Sequence, residues 1–353
     1  MIRIQNIPLP IGGGEEQLRK RAARLLGLNP GQLRSLTLAR QSIDARKKSD
    51  VHYVCTVHVE VDNEARIMAR CRDKNVSLHT EQPYAFPPVR RTSPLPPVVV
   101  GMGPAGLFAA LFLARNGFPC VVLERGQDVD QRTRDVDRFW TAGALDEGSN
   151  VQFGEGGAGT FSDGKLNTLV KDTYGRGKEV LSRFVEAGAP SEILYQQKPH
   201  LGTDQLVGIV QFMRHQIEEM GGEFRFRSTV TDLVVRDQKL AAVIVNEKEE
   251  IPAEICVLAP GHSARDTFAM LNKHNLSMEP KSFAVGVRVE HPQTMINQDL
   301  YGEPENDYLG AASYKVTHTL ENGRGVYSFC MCPGGYVVNA SSEEGMLAVN
   351  GMS

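Results

Sequence analysis

One short stretch of this chain restricts its fold more than any other. An apolar run over residues 98–100 leads into a turn with Gly101, Gly103 and Gly106, and a helical stretch and a second apolar run ending at Glu124 follow. In such a strand-turn-helix-strand unit, the first glycine permits the tight turn. The second lets a pyrophosphate approach the backbone, and the third lets helix and strand pack closely. The pattern predicts a dinucleotide-binding βαβ unit.

The elements on either side of the turn support this prediction. The helix that starts after Gly103 presents unpaired N–H groups to phosphates. The acid at the end of the second strand, Glu124, can bind ribose hydroxyls and disfavours a 2′-phosphate. The alternative is a glycine-rich turn that binds nothing. The candidate cofactor-binding residues of this unit are Gly101, Gly103, Pro104, Ala105, Gly106, Glu124 and Arg125.

Residues 98–114 carry no charge and resemble a membrane span at first sight. The stretch lies at the lower length limit for crossing a bilayer and contains glycines and a proline. A buried strand, a turn and a helix explain it better. We therefore expect no membrane partner.

The composition indicates a globular protein with a small-molecule substrate. Of 353 residues, 41% are hydrophobic, which is enough for a buried core and more than one domain. Thirty-nine basic and 42 acidic residues give a net charge of -3, so nucleic acid is a disfavoured partner. Six cysteines are too few for a disulfide scaffold, and Met1 opens into a strand-like run, which predicts a cytoplasmic location. The oligomeric state is not indicated.

The first 82 residues predict a small α+β module. Apolar residues alternate with polar ones as in a sheet with one solvated face, and a helical stripe lies between the first strands. The βαββαβ order is typical of ferredoxin-like modules. The predicted elements are a strand at 2–4, a helix ending before Gly27, strands at 35–43 and 51–61, a helix at 63–73 and a strand at 76–80.

A second glycine-rich stretch, residues 154–159, has the same GxGxxG spacing. No apolar strand of adequate length precedes it and no amphipathic helix follows, so a second nucleotide site is not expected. Its continuation to Asn167 predicts a flexible loop that lies against the ring or pyrophosphate of the cofactor, with Gly157, Gly159 and Lys165 as contacts. The alternative is an ordinary surface loop with a solvated lysine.

Strand ends further along the chain supply more candidate contacts. Strands are expected at residues 223–230, 232–237, 240–246 and 254–259, after a helical stripe over 206–220. The last strand closes with an Ala-x-Gly sequence, which places backbone without side chains beside a nucleotide. The candidate cofactor contacts here are Val230, Ala259 and Gly261.

Taken together, these motifs resemble a known family. The strings that carry the resemblance are residues 101–106, Glu124, 154–167, 258–266, 285–292 and 330–335. They are similar to a bacterial group known as FAD-dependent (NAD/FAD-utilising) dehydrogenases, within the glutathione-reductase-like flavoproteins. The resemblance covers nearly the whole chain. It implies FAD as the cofactor and redox chemistry, and it implies no substrate.

The resemblance also implies an α/β fold with a Rossmann-like FAD-binding domain of the glutathione-reductase type, interrupted by a substrate domain. Prolines crowd the segment between the first module and this domain, as in a linker. The expected organisation is an N-terminal module over 1–82, a linker over 83–97, a first FAD-binding part over 98–168, a connecting or substrate segment over 169–200, a second FAD-binding part over 201–276 and a substrate domain over 277–353.

The implied mechanism is hydride or electron transfer at the flavin N5 atom, with NAD(P)H as a possible electron donor. His262 follows Gly261 and is a candidate proton donor or acceptor, because imidazole titrates near neutral pH. A structural hydrogen bond at a helix start is the alternative for His262. Arg288 and His291 are candidates for contacting a substrate, although the alternation over residues 283–290 also fits a plain strand with polar residues outward.

Cys330 and Cys332 are a candidate thiol relay from flavin to a disulfide substrate. Against this role, the pair is expected on a strand over residues 326–340, where residues two apart face the same side but need strain to form a disulfide. The spacing of the cysteines and histidines predicts no metal site.

Two other function classes remain open. The first is a dinucleotide-binding regulatory or RNA-related protein, because the first helix has a basic face that could contact RNA, although such a face is more often solvated. The second is a flavin monooxygenase. The basic face consists of Arg19, Lys20, Arg21 and Arg24.

The resemblance carries an expectation about the end of the chain. Known proteins of the group continue beyond residue 353 into a part that completes the FAD site, and the helix-like stretch 342–349 is followed by four residues only. We therefore expect this chain on its own to hold FAD weakly or not at all.

Overall fold

The computed structural model describes residues 1–162, 164–166, 168, 170–328 and 331–353. The N-terminal module has the predicted βαββαβ order. Its sheet runs β2-β3-β1-β4 and is antiparallel throughout. Its elements are β1 (Ile2–Pro10), α1 (Glu15–Leu25), β2 (Leu33–Asp44), β3 (His52–Val61), α2 (Glu64–Arg70) and β4 (Val76–Leu78).

Apolar periodicity explains why the module forms. In β3, Cys55, Val57 and Val59 are fully buried, because alternate side chains of a strand point to the same face. In α1, Leu18 and Ala22 are four residues apart and are buried against this face. The two layers enclose one hydrophobic core.

A parallel four-stranded sheet forms the centre of the second region, in the order β11-β5-β6-β7. The elements in chain order are β5 (Val98–Val100), α3 (Pro104–Arg115), β6 (Val121–Leu123), α4 (Val129–Ala142), α5 (Arg176–Glu186), α6 (Thr203–Glu219), β7 (Glu223–Arg225), β8 (Val230–Arg236), β9 (Lys239–Val245), β10 (Glu249–Pro252), β11 (Cys256–Leu258) and α7 (Arg265–Lys273).

Both faces of this sheet are buried, as parallel sheets require. Val99 and Val122 face a core with α3 and α6, whereas Val98 and Val100 face a second core with β8, β9 and α7. The uncharged stretch after Pro97 is thus a strand, a turn and a helix, as predicted. Across the described residues, no helix combines the length and the apolar character needed to cross a bilayer.

The antiparallel unit β8-β9-β10 differs from the prediction in its boundaries. The predicted strand 223–230 is two strands, because the chain leaves the parallel sheet after Arg225 and Arg227 takes a left-handed φ of 51°. A strand that the sequence did not predict, β10, pairs with β9.

The last region contains α8 (Gln293–Tyr301), β12 (Thr317–Thr319), β13 (Gly325–Tyr327), β14 (Tyr336–Asn339) and β15 (Val349–Met352). The strand predicted at 283–290 is wrong: Val285 and Val287 are 85% and 90% exposed, and no described strand pairs with this segment. An alternating apolar pattern alone does not make a strand, because the backbone N–H and C=O groups of a strand need a neighbouring strand as hydrogen-bond partner.

Two further expectations for this region are corrected. The predicted strand 326–340 is divided between β13 and β14, and Gly334, with φ of 74°, lies between them. The stretch 342–349 is not helical in the structure. There the chain turns at Gly345, with φ of 73°, and β15 returns to pair with β14. A left-handed glycine favours such a turn over a continuing helix.

Candidate functional site

A cleft of about 200 Å³ lies at the carboxyl ends of β5, β6 and β11. Ligands of open α/β sheets bind at this edge. The volume is below the roughly 300–1,000 Å³ of typical small-molecule sites, so the cleft suits part of a dinucleotide. Its lining includes Gly101, Gly103, Pro104, Glu124, Arg125, Gln152, Phe153, Gly154, Gly157, Gly159, Ser228, Thr229, Val230, Ala259, Gly261, His262, Ser263 and Thr267.

Two glycines of the first turn are required by packing. Gly101 has φ of 94°, and a Cβ there would collide with the carbonyl oxygen of Ala259. A Cβ on Gly106 would collide with the carbonyl oxygen of Gly101. The tight turn and the close approach of α3 to the sheet therefore exclude side chains at both positions. Gly106 and Ala105, both predicted contacts, lie within α3 and outside the cleft lining.

Gly103 has a different reason to be glycine. Its φ of -70° suits any residue, and the atom closest to a Cβ built there is Gly157 Cα at 3.8 Å. Protein packing therefore leaves room for a side chain that the sequence does not supply. The position borders the cleft at the start of α3, and among the described residues no side chain caps this helix. The residues fit a pyrophosphate, which would occupy this space and accept the helix N–H groups.

Glu124 joins three segments around the cleft. Its side chain is buried, and Oε2 accepts a hydrogen bond from the Met102 amide at 2.6 Å. Oε1 accepts from the amides of Gly126 and Gly154, both at 2.9 Å. A carboxylate offers about four acceptor positions, so one remains for a ribose hydroxyl. Glu124, the residue expected to bind the ribose, therefore also holds these three segments together.

The 154–159 stretch packs directly on the first turn. The Gly156 amide donates to the carbonyl of Met102 at 2.9 Å, and a Cβ on Gly157 would lie 2.7 Å from Gly103 Cα. Residues 153–157 are buried, unlike an ordinary surface loop. Lys165 does not line the cleft, and its backbone forms an isolated antiparallel β-bridge with His200. Two positions of the predicted loop, Asp163 and Asn167, lie outside the described residues.

Arg125 lines the cleft and is held in place by two contacts. Its guanidinium lies 4.4 Å from the centre of the Phe153 ring, a cation–π distance. Nη2 also donates to both carboxylate oxygens of Asp266 at 2.8 Å. These contacts fix the side chain that follows Glu124 in the sequence.

His262 lies on the cleft within a chain of hydrogen bonds. Gln152 Nε2 donates to the carbonyl of Ala340 at 3.0 Å, so its Oε1 faces Ser263 and accepts from Oγ at 3.2 Å. The Ser263 hydroxyl has a single hydrogen, which this bond uses. His262 Nε2, at 3.3 Å from Oγ, is therefore the donor of that pair, which leaves Nδ1 as the acceptor whenever the ring is neutral.

Two of the remaining predicted residues, His291 and Cys332, do not line the cleft. His291 stacks on Tyr314 with ring centres 5.7 Å apart. Cys332 is half-buried beside Gly335 and Gly351, between β13 and β14 rather than on the expected strand. Cys330 lies outside the described residues. The roles assigned to these three residues stay predictions.

Several lining residues were missed by the sequence analysis, including Gln152, Phe153, Ser228 and Thr229. One signal was available for Ser228 and Thr229, because they follow β7, and the carboxyl ends of parallel strands meet at one edge of a sheet. No local pattern marks Gln152, whose position depends on the buried path of its loop. Among the described residues, no group of side chains has the composition of a metal site.

Family comparisons match three parts of the chain. The FAD binding domain family matches residues 95–136, which contain the first turn and Glu124. A family described as FAD-dependent protein, C-terminal domain-like, matches residues 282–353. A domain of unknown function matches residues 1–60, within the N-terminal module.

Two relatives extend these matches. An uncharacterized protein of Clostridium beijerinckii is 47% identical over 355 residues, which covers 100% of this chain and 66% of the relative. Digeranylgeranylglycerophospholipid reductase of Haloferax volcanii is 26% identical over 244 residues, which covers 67% of this chain and 50% of that protein. The chain thus spans about half to two thirds of the length of these relatives.

Among solved structures, THI4 of Thermovibrio ammonificans is 18% identical and has a TM-score of 0.34. The match covers 52% of this chain and 63% of that one. The sequence matches at residues 282–353 and 95–136 are to families described as FAD-dependent and FAD-binding.

Proposed function

We propose that this chain forms the FAD-binding part of an FAD-dependent oxidoreductase of the dehydrogenase type. The observation that carries the proposal is the space at Gly103, at the start of α3, which protein atoms leave open. The reductase among the relatives supports redox chemistry. When bound, FAD supplies hydride or electron transfer at its N5 atom. The substrate is a small molecule, and NAD(P)H is the proposed electron donor.

Named residues would hold the parts of FAD. Gly103 and Pro104, at the helix start, receive the pyrophosphate, with Gly157 and Gly159 on the facing side. Glu124 accepts a ribose hydroxyl at its remaining acceptor position. Arg125, Thr229 and Val230 would hold the adenosine end, and Ala259 and Gly261 are further lining residues that could contact the cofactor.

The proposed arrangement is that of the glutathione-reductase type. Residues 98–168 and 201–276 form the two parts of the FAD-binding domain, residues 169–200 connect them, and residues 277–353 belong to the substrate domain. The parallel sheet supports this division, because β5, β6, β7 and β11 come from both parts.

His262 is the proposed proton-transferring group. The hydrogen-bond chain from Ala340 through Gln152 and Ser263 holds the proton of the neutral ring at Nε2. Nδ1 then accepts a proton from a substrate group or a water molecule in the cleft.

A substitution at Gly103 tests the cofactor assignment. We expect Gly103→Val to weaken FAD binding by at least about 100-fold, because the branched side chain occupies the pyrophosphate position. The thermal midpoint of the chain without cofactor should change little. Because the chain on its own is expected to hold FAD weakly, FAD affinity is measured by equilibrium dialysis at FAD concentrations high enough to saturate the parent chain.

Gly31→Val is the matched control, since a Cβ at Gly31 meets no atom within 4 Å and the residue lies in the N-terminal module. It should leave both FAD affinity and the thermal midpoint unchanged. Equal FAD affinity in the parent chain and Gly103→Val would contradict the assignment of this turn.

A further inference from the structure

Arg132 lies behind the cleft, on α4, and is fully buried. Its guanidinium donates to the carbonyl of Asn150 at 2.9 Å, of Val151 at 3.0 Å and of Glu155 at 2.6 Å. A longer bond of 3.4 Å reaches the carbonyl of Gly154. One planar side chain thus holds backbone groups at both ends of the 150–155 segment.

The charge on Arg132 is retained in this environment. Burial lowers the pKa of Arg132 to about 10, while Glu124 and Glu155 act to raise it. The side chain is therefore cationic at neutral pH. Arg132 lies 4.9 Å from the centre of the Phe161 ring, which adds a cation–π contact. A buried cation loses several kcal/mol of solvation free energy. An apolar side chain would fill the same space without that cost.

The fit between Arg132 and the loop is mutual. Gly154 has φ of 122°, and a Cβ at this position would collide with Cδ of Arg132. The loop backbone therefore follows the contour of the arginine. On its other side, the same peptide segment presents the Gly154 amide to Glu124 and the Gly156 amide to the first turn.

We propose that Arg132 is a positioning residue for the cofactor. By fixing the carbonyls of residues 150–155, it holds the Gly154 amide on Glu124 and places Gly157 opposite Gly103, where the FAD pyrophosphate would bind. Arg132 does not itself line the cleft. The inference rests on the proposed function as an FAD-binding chain.

Arg132→Lys separates positioning from charge. Lysine keeps the positive charge, but its single ammonium group does not span carbonyls that the planar guanidinium reaches together. At least one buried carbonyl then loses its donor. We expect FAD affinity to fall by at least about tenfold. Amide hydrogen exchange of residues 154–157 should accelerate in the chain without FAD, before any cofactor is added.

Leu111→Ala is the matched control for lost stability. Leu111 is fully buried in the core between α3 and α6 and does not line the cleft. Its truncation should lower the thermal midpoint at least as much as Arg132→Lys, because large-to-small core changes leave a cavity. FAD affinity and exchange at residues 154–157 should stay within about twofold of the parent, since distant sites act independently.

A milder variant covers the case in which Arg132→Lys does not fold. Phe161→Leu removes the cation–π contact and leaves the backbone carbonyls in place. Phe161 is outside the cleft lining. We expect FAD affinity to fall about two- to fivefold, with faster exchange at Gly154.

The outcomes are distinguishable. If Arg132→Lys, or Phe161→Leu in its place, lowers the thermal midpoint but leaves FAD affinity and exchange at residues 154–157 unchanged, the positioning role is overturned. When Gly103→Val still weakens FAD binding as expected, that result overturns the Arg132 proposal but leaves the proposed function intact. If Gly103→Val also binds FAD like the parent chain, the proposed function itself fails.

Discussion

The two glycine-rich stretches of this chain, 101–106 and 154–159, have the same spacing and different structural roles. The first leaves a buried strand and opens α3, so its backbone amides face the cleft. The second leaves no strand, forms a single 3-10 turn at Gly157–Gly159, and packs against the first. Identical spacing of the glycines therefore does not by itself predict a phosphate-binding turn. The elements before and after the glycines decide whether a turn binds phosphate or supports one.

The largest difference should appear when a methyl group is added at the third glycine of each stretch, Gly106 in the first and Gly159 in the second. Gly106→Ala places Cβ on the carbonyl oxygen of Gly101, which is backbone and has no alternative position. We expect a loss of about 3 kcal/mol or more in the free energy of unfolding. Urea unfolding measures the loss.

Gly159→Ala is the counterpart in the second stretch. The closest atom to its Cβ is Pro104 Cγ at 3.9 Å, an ordinary contact. The free energy of unfolding should change by no more than about 0.5 kcal/mol. Equal destabilisation by Gly106→Ala and Gly159→Ala would remove the distinction between the stretches.

Glu124→Gln breaks the link between the stretches. The glutamine oxygen can accept the amides of Gly126 and Gly154, and its NH₂ group then faces the Met102 amide. One buried N–H loses its acceptor, which costs about 1–3 kcal/mol. FAD affinity should fall as well, because Met102 belongs to the first turn. The free energy of unfolding and the FAD dissociation constant are measured on the same preparations.

Glu254→Gln makes the same chemical change at an exposed position of the same domain. It should leave both quantities unchanged. A Glu124→Gln variant that matched this control would show that the carboxylate is not needed to join the two stretches.

The smallest expected effect concerns pH, because only the second stretch carries an ionisable side chain. Burial raises the pKa of Glu155, and the Val129 amide and Arg214 partly offset that rise. A raised folded-state pKa means that the contribution of Glu155 to stability is present below its unfolded pKa. That contribution is lost as the pH rises through the folded value.

Glu155→Gln does not ionise and should remove this dependence. The stability of the parent chain relative to the variant should decline as the pH rises from about 4, the usual glutamate pKa, toward the raised folded value. The midpoint of urea unfolding at several pH values measures it. A constant difference across this range would show that Glu155 does not titrate between the two states.

The local sequence was sufficient to predict the first turn. It was insufficient to predict how the second glycine-rich stretch packs around that turn. The strand, the glycines and Glu124 are consecutive elements of one βαβ unit, so their arrangement follows from short-range geometry. The burial of the second stretch depends on Arg132, which reaches it from α4, and on the carboxylate of Glu124. No periodicity in residues 150–159 encodes those contacts.

The same limit explains the errors near the end of the chain. Residues 283–290 alternate as a strand would, but strand formation requires a partner, and the described residues supply none. His262 was predicted from its place after the last parallel strand, whereas its partners Ser263 and Gln152 come together only in the folded chain. Pairwise contacts between distant segments are the part that a single sequence does not show.

The hydrogen bonds of Glu124 have a consequence for how the cofactor arrives. Three of its acceptor positions are satisfied from within the chain, so the carboxylate, the first turn and the supporting loop are already in their working geometry before a ligand enters. Preorganisation of this kind reduces the conformational entropy lost on association. Encounter with FAD should therefore proceed without a slow rearrangement, and substitutions around the cleft should alter how long the complex lasts rather than how quickly it forms.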